Sequence, residues 1–187
     1  MRASIAASVA LLVLSPASTF ADQPRLRPSR DVAVVYRAPG PRGAEVEQRV
    51  RWLAAAGIMR IDPPSHDLHV IVDYLQRRMS LVDDAARSVM QMAAPDSANS
   101  IAGAPSTNSY TRIGQGVVAG HTCTEWRTQD RQGHAALVCI TDDGVLLRAG
   151  TPDAVRVSAI SVQYGPQETT AFQVPADYTR LSPETPQ

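Results

Sequence analysis

The sequence predicts a mainly β fold laid out as an antiparallel meander, and three observations predict it. Short segments that alternate apolar and polar residues recur along the chain, separated by Gly, Pro, Asn and Asp. After residue 21, Val and Ile together number 24 against 9 Leu, and β-branched side chains pack well on pleated sheets while losing freedom in helices. Aromatic residues make up 5% of the 187 positions, so the core must be built from small side chains such as Ala and Val, which leave room beneath a sheet. The length suits one domain.

The chain opens with an export pattern. Arg2 precedes an apolar run from Ile5 to Leu14, Pro16 breaks it, and Thr19-Phe20-Ala21 sets small residues three and one places before a cut. The run is too short to span a bilayer. Residues 1–21 are therefore expected to be a signal peptide cleaved after Ala21, which places the mature chain in the periplasm. Residues 22–30 hold two prolines and three arginines and read as a flexible lead-in.

The strands follow in order. Residues 31–37 are a β-branched run, closed by a Pro/Gly turn. In residues 45–52, Val46, Val50 and Trp52 alternate with charged neighbours. The same stretch also fits a helical stripe running into Ala54-Ala55-Ala56, and strand is the preferred reading. Residues 58–61, 68–74, 78–82 and 88–92 continue the meander. Residues 94–109 are a long loop of Ala, Pro, Ser, Asn and Gly. Two short runs, 110–113 and 117–119, lead into a hairpin. The Asp142-Asp143-Gly144 turn precedes a strand from Val145, and 155–164 alternates again. Residues 182–187 read as a disordered tail. The domain is thus expected over 31–181, without internal repeats.

Cys123 and Cys139 are the only cysteines. An even number in an exported chain favours a disulfide. Both lie in strand-like runs, 121–127 and 135–141, with Asp130 and Gly133 between them as turn residues. A hairpin centred on Arg131 sets Cys123 opposite Cys139, Thr124 opposite Val138 and Trp126 opposite Ala136, close enough to bridge. There is no CxxC spacing for redox chemistry, and two thiols make a poor zinc site.

Charge excludes some partners. The formal net charge is +0 with 18 acidic and 18 basic residues, every basic one Arg, so no surplus points to nucleic acid.

Several stretches taken together resemble a known group. They are Arg60-Ile61-Asp62, Val70 to Asp73, Met79 to Asp83 and Met90-Gln91-Met92. Tyr110, Gly120 with Cys123, and Cys139 to Arg148 fit G-x-x-C…C-x-T-x-D-G-x-x-x-R, and Phe172 to Tyr178 fits F-x-x-P-x-x-Y. Their order resembles a group of uncharacterised exported bacterial proteins similar in architecture to the lipoprotein carriers LolA and LolB. The resemblance implies a curved half-barrel, with a short helix or loop across a concave apolar face that holds acyl chains. The sequence departs from it in lacking an amphipathic helix to act as a lid.

No constellation for catalysis is present: no G-x-S-x-G, no Gly-rich phosphate loop, no HExxH. In Ser65-His66-Asp67-Leu68-His69 the two imidazoles are three residues apart, which on a strand points them to opposite faces, so a solvated loop is favoured over a metal pair. Asp83-Asp84 and Asp142-Asp143 are explained by turns.

The expectation is an exported periplasmic binding protein, not an enzyme and without a cofactor or metal. It would hold an acyl chain, lipid or lipoprotein segment in an apolar hollow lined by Val46, Val50, Trp52, Ile71, Met79 and Met90. Either Val70 or Ile71 must share the face of Trp52. The alternative is a structural or interaction protein of the envelope with a filled core and a sheet edge as docking site.

Overall fold

A computed structural model describes residues 23–40, 43–64, 67–94, 109–129 and 133–181. The expected signal peptide, the expected tail and nearly all of the expected 94–109 loop lie outside the described residues.

The strands are β1 (Val32–Pro39), β2 (Glu45–Leu53), β3 (Ile58–Asp62), β4 (Leu68–Asp73), β5 (Arg78–Asp83), β6 (Ser88–Ala93), β7 (Thr111–Val118), β8 (His121–Gln129), β9 (Ala135–Ile140), β10 (Leu146–Thr151), β11 (Ala154–Tyr164) and β12 (Thr179–Leu181). All join one curved, unclosed sheet in the order β12-β6-β5-β4-β3-β2-β1-β11-β10-β9-β8-β7. Every neighbouring pair is antiparallel except β12 with β6. The expected mainly β half-barrel is therefore the architecture. The stretch that also fitted a helix is β2, because its alternation matches the β1 ladder: Val50 lies opposite Val34 and Trp52 opposite Val32.

Turn chemistry places the strands. The β4–β5 and β5–β6 turns are alike: Asp73 Oδ1 accepts from Gln76 N–H, Asp83 Oδ1 accepts from Ala86 N–H, and Arg77 and Arg87 take positive φ. The β9–β10 turn closes through Thr141 N–H to Val145 O at 2.9 Å, with Gly144 at φ +93.

The two short runs expected after the long loop form one strand, β7, irregular between Arg112 and Gly114. Gly116 lies close under β8 and the disulfide: a Cβ there would stand 3.1 Å from Glu125 Oε1 and 3.4 Å from Cys139 Sγ, so the Glu125 carboxylate would have to shift slightly to admit one.

The cysteine hairpin forms with a register different from the expected one. Thr124 lies opposite Ile140, Trp126 opposite Val138 and Glu125 opposite Cys139. The last pair, Gln129 with Ala135, centres the hairpin one residue later, and Gly133 supplies the left-handed turn at φ +84. A shift of one residue in the centre moves the register by two, which preserves the face of every side chain. Cys123 and Cys139 therefore sit diagonally on one face, 5.4 Å apart at Cα, and are bridged.

One face of the sheet forms the core. Val32, Val34, Val50, Trp52, Met59 and Ile61 pack there with Val138, Ile140 and Leu147 from the other arm. Tyr36 reaches over β11 on this inner face, and its hydroxyl donates to Leu146 O at 2.6 Å. The C-terminal segment covers the outer face of β3–β6. A short 3-10 helix, Thr169–Phe172, touches β3, Arg60 donates to Ala171 O, and Val174 and Tyr178 pack on Ile71, Val82 and Val89.

The lead-in is a correction. Residues 23–30 are not loose but run across one end of the inner face. Leu26 packs on the core and Pro28 is buried. Ser29 N–H donates to Asp143 O, and Arg30 pairs with Asp143 at 2.6 Å while lying over the Tyr164 ring. The expected loop or helix across the concave face is, among the described residues, this N-terminal strap.

Candidate functional site

Two apolar ladders cross the inner face. The first runs Val162, Val34, Val50 and Ile61 from β11 to β3, then Val70, Leu81, Met90 and Leu181 from β4 to β12. The second runs Tyr164, Val32, Trp52 and Met59, then Val72, Met79 and Met92. Register produces both: each antiparallel partner shares its neighbour's face, so one apolar position per strand is enough to build a stripe.

The stripe is not uniformly covered. Val50 and Ile61 are 5% exposed, whereas Leu81 is 36% and Leu181 46% exposed. Leu68, on the same face of β4, is also exposed, and Met79, Met90 and Met92 are half-buried. Among the described residues the inner face is thus filled over β1–β3 and at Val72 of β4, and uncovered at Leu68 of β4 and over β5, β6 and β12. Apolar residues contiguous over four strands at a surface mark a contact site, and methionines there adapt to varied apolar shapes.

The six residues singled out from the sequence separate. Val50, Met79 and Met90 lie on the two ladders. Val46 shares their face but sits at the β1–β2 hairpin, where it crowds Gly40. Trp52 is 7% exposed and stacked on Tyr74, ring centroids 5.6 Å apart, in the filled end. Ile71 is a correction: it points to the outer face and packs with Val82 and Val89 under the C-terminal segment. Val70 takes the inner position because Ile61, its partner, is paired in turn with Val50. Val70, Leu81, Met92 and Leu181 were missed. Strand parity offers two answers for each run, and only the ladder decides between them.

The closed end is polar at its rim. Asp143 accepts from Arg30, from Thr141 Oγ1 and from Tyr164 at 3.1 Å. Burial pushes its carboxyl up, but the hydrogen bonds of Thr141, Arg30 and Tyr164 outweigh that and hold it below the ordinary value. Arg27 lies 4.6 Å from the Tyr74 ring centroid, so Arg27, Tyr74 and Trp52 form one stack. A cavity of about 340 Å³ remains between Gln23–Arg25 and residues such as Gln115, Thr124 and Trp126.

On the outer face, His69 is 4% exposed and lies in β4 rather than in a solvated loop. Its Nδ1 is 3.0 Å from Asp84 Oδ2, and Tyr178 donates to Asp84 Oδ1 at 2.8 Å. His66, the second imidazole of the motif, lies outside the described residues. Among the described residues no group of three His, Cys, Asp or Glu is placed to hold a metal, and no helix is long and apolar enough to cross a membrane.

These features define the class: a single-sheet β half-barrel with a partly open apolar inner face. No family model matches the chain, and no curated protein matches its sequence. Solved structures of similar fold include an uncharacterized conserved protein from Thermus thermophilus. That likeness has a TM-score of 0.58 and 11% identity, and covers 83% of this chain and 91% of that one. A second is a chain of the Pseudomonas aeruginosa MucA/MucB complex, with a TM-score of 0.51 and 14% identity. There the alignment covers 80% of this chain and 57% of the other. Likenesses at this identity establish the fold.

Proposed function

We propose that this chain is an exported, non-catalytic binding protein of the periplasm, which holds an acyl chain of a lipid or lipoprotein on the open arm of its inner face. One observation carries the reading: the apolar ladder of the core continues, uncovered among the described residues, through Leu81, Met90 and Leu181. A surface of this kind suits a ligand that is long, flexible and apolar. The disulfide and the N-terminal export pattern support the compartment, and the resemblance to lipoprotein carriers supports the ligand class.

A long-chain fatty acid or diacylated lipopeptide should raise the melting temperature saturably, because a ligand that binds only the folded state stabilises it by about 2.7 kcal/mol at a hundredfold excess over Kd. Leu81→Asp should weaken binding at least tenfold. It should cost little stability, since Leu81 is 36% exposed. A saturating titration that leaves the melting temperature unchanged in the wild type and also in Leu26→Asp and Arg30→Ala, which loosen the N-terminal segment, would overturn the reading. The second reading, a docking surface for an apolar protein segment, would then stand on the same ladder and on the fold shared with a chain of the MucA/MucB complex.

A further inference from the structure

The inner face has two ends that differ in what covers them. Among the described residues the arm over β5, β6 and β12 is uncovered. The other end is closed by eight residues of the chain itself, 23–30, and their attachment is unlike that of any strand. Among the described residues one backbone hydrogen bond between main-chain groups joins this strap to the rest, Ser29 N–H to Asp143 O at 2.9 Å. Otherwise it is held by side chains: Leu26 on the core, Arg27 over Tyr74, and Arg30 on Asp143 and Tyr164. The Arg30 side chain is 61% exposed, and ion pairs at such positions are weak. Segments with few backbone hydrogen bonds open at low free-energy cost.

What lies under the strap matches what lies in the open arm. Trp52 belongs to the same ladder as Met79 and Met92, and Tyr74 is stacked on it. The cover is also imperfect. Among the described residues Tyr74 Oη is buried with no hydrogen-bond partner, and at the other end of the strap a cavity of about 340 Å³ lies between Gln23–Arg25 and Thr124, Trp126 and Ile140. A buried hydroxyl without a partner disfavours the state that contains it. The strap therefore packs through Leu26 on the core cluster that contains Trp52 and Tyr74, and through Arg27 on the Tyr74 ring, at the filled end of an apolar ladder that runs on to Met79 and Met92.

We propose that residues 23–30 are an autoinhibitory strap. It holds the Trp52–Tyr74 floor in the free protein, and a long acyl chain seated on the open arm displaces it to reach that floor. This rests on the acyl-binding reading and adds the regulation of the same site. Because the competent state is then a minor one, the strap lowers apparent affinity, and loosening it must raise affinity.

The test uses the processed full chain with palmitate and a diacylated lipopeptide, following binding by melting temperature and the strap by trypsin cleavage after Arg25 and Arg30. Arg27 precedes Pro28 and resists the enzyme, so these two cuts report the strap alone. Saturating ligand should speed both cuts at least fivefold. Leu26→Asp should tighten binding at least threefold, and Arg30→Ala, which leaves the core untouched, should tighten it in the same direction. Urea midpoints of both variants establish that they fold. Ligand that binds while cleavage stays constant or slows, with either variant binding more weakly, overturns the strap and leaves the binding function standing. Absence of binding in the wild type but not in Leu26→Asp supports the strap. Absence in all three proteins overturns both proposals.

Discussion

At the scale of single residues, burial decides which charges matter. His69 is enclosed by β3, β5 and the C-terminal segment. It faces Asp84, with Arg60 and Asp62 also close enough to act on it. Burial and then the Arg60 charge depress its pKa below the ordinary 6.5, outweighing Asp84 and Asp62. Since the unfolded chain takes up the proton first, the stability His69 contributes is present above pH 6.5 and is lost as pH falls through its lower folded value. Asp62 answers at lower pH. Burial raises its carboxyl, but Arg60 and Arg51 outweigh that and hold it below 3.8, so its contribution fades only below about pH 4. The urea midpoint should therefore decline between pH 7 and 5, and His69→Gln should flatten that decline. An equal slope in the variant would assign it to other groups.

At the scale of elements, most strands were legible because alternation and turn residues are local signals: β2, β3 and β4 begin within a residue of where the pattern sets them. What was not legible depends on long-range pairing. Whether Val70 or Ile71 faces inward is settled by Ile61, a residue of another strand. The lead-in looked structureless because Pro and Arg carry no periodicity, and its order comes from Tyr74, Asp143 and Tyr164, far away in sequence. The cysteine hairpin lies between these cases, with the right strands and faces but a register set by where Gly133 turns the chain. Its disulfide closes a sequence separation of 16 residues, which should stabilise the fold by about 3 kcal/mol, chiefly by restricting the unfolded chain. Cys123→Ala/Cys139→Ala should lower the unfolding free energy by that amount without changing far-ultraviolet circular dichroism. A loss below about 1 kcal/mol would mean that the unfolded hairpin is already compact.

At the scale of the whole molecule, a single curved sheet has two faces to cover and two edges to protect, and the chain uses its ends for part of each task. The strap spans one end of the inner face, and the C-terminal segment covers the outer face of β3–β6 before β12 lines the edge of β6. An unpaired β6 edge would present a row of free backbone groups to other chains. Phe172 is the pivot of the outer cover at 4% exposure, and Tyr178 ties the segment to the sheet through Asp84, beside the Arg87–Asp177 pair. Emptying the Phe172 position should cost about 3–5 kcal/mol, the usual range for a buried phenylalanine cut to alanine. It should also loosen β12, because the 3-10 helix and β12 are consecutive parts of one covering segment. Phe172→Ala should therefore lower the urea midpoint and speed hydrogen exchange at two distant places together: the outer-face strands β4 and β5, and the β6 edge under β12. Trypsin cleavage of the inner strap should be unchanged, since the strap contacts the opposite face. If exchange rises only around residue 172 and the β6 edge stays protected, β12 holds by its own ladder and the C-terminal cover is not one cooperative unit.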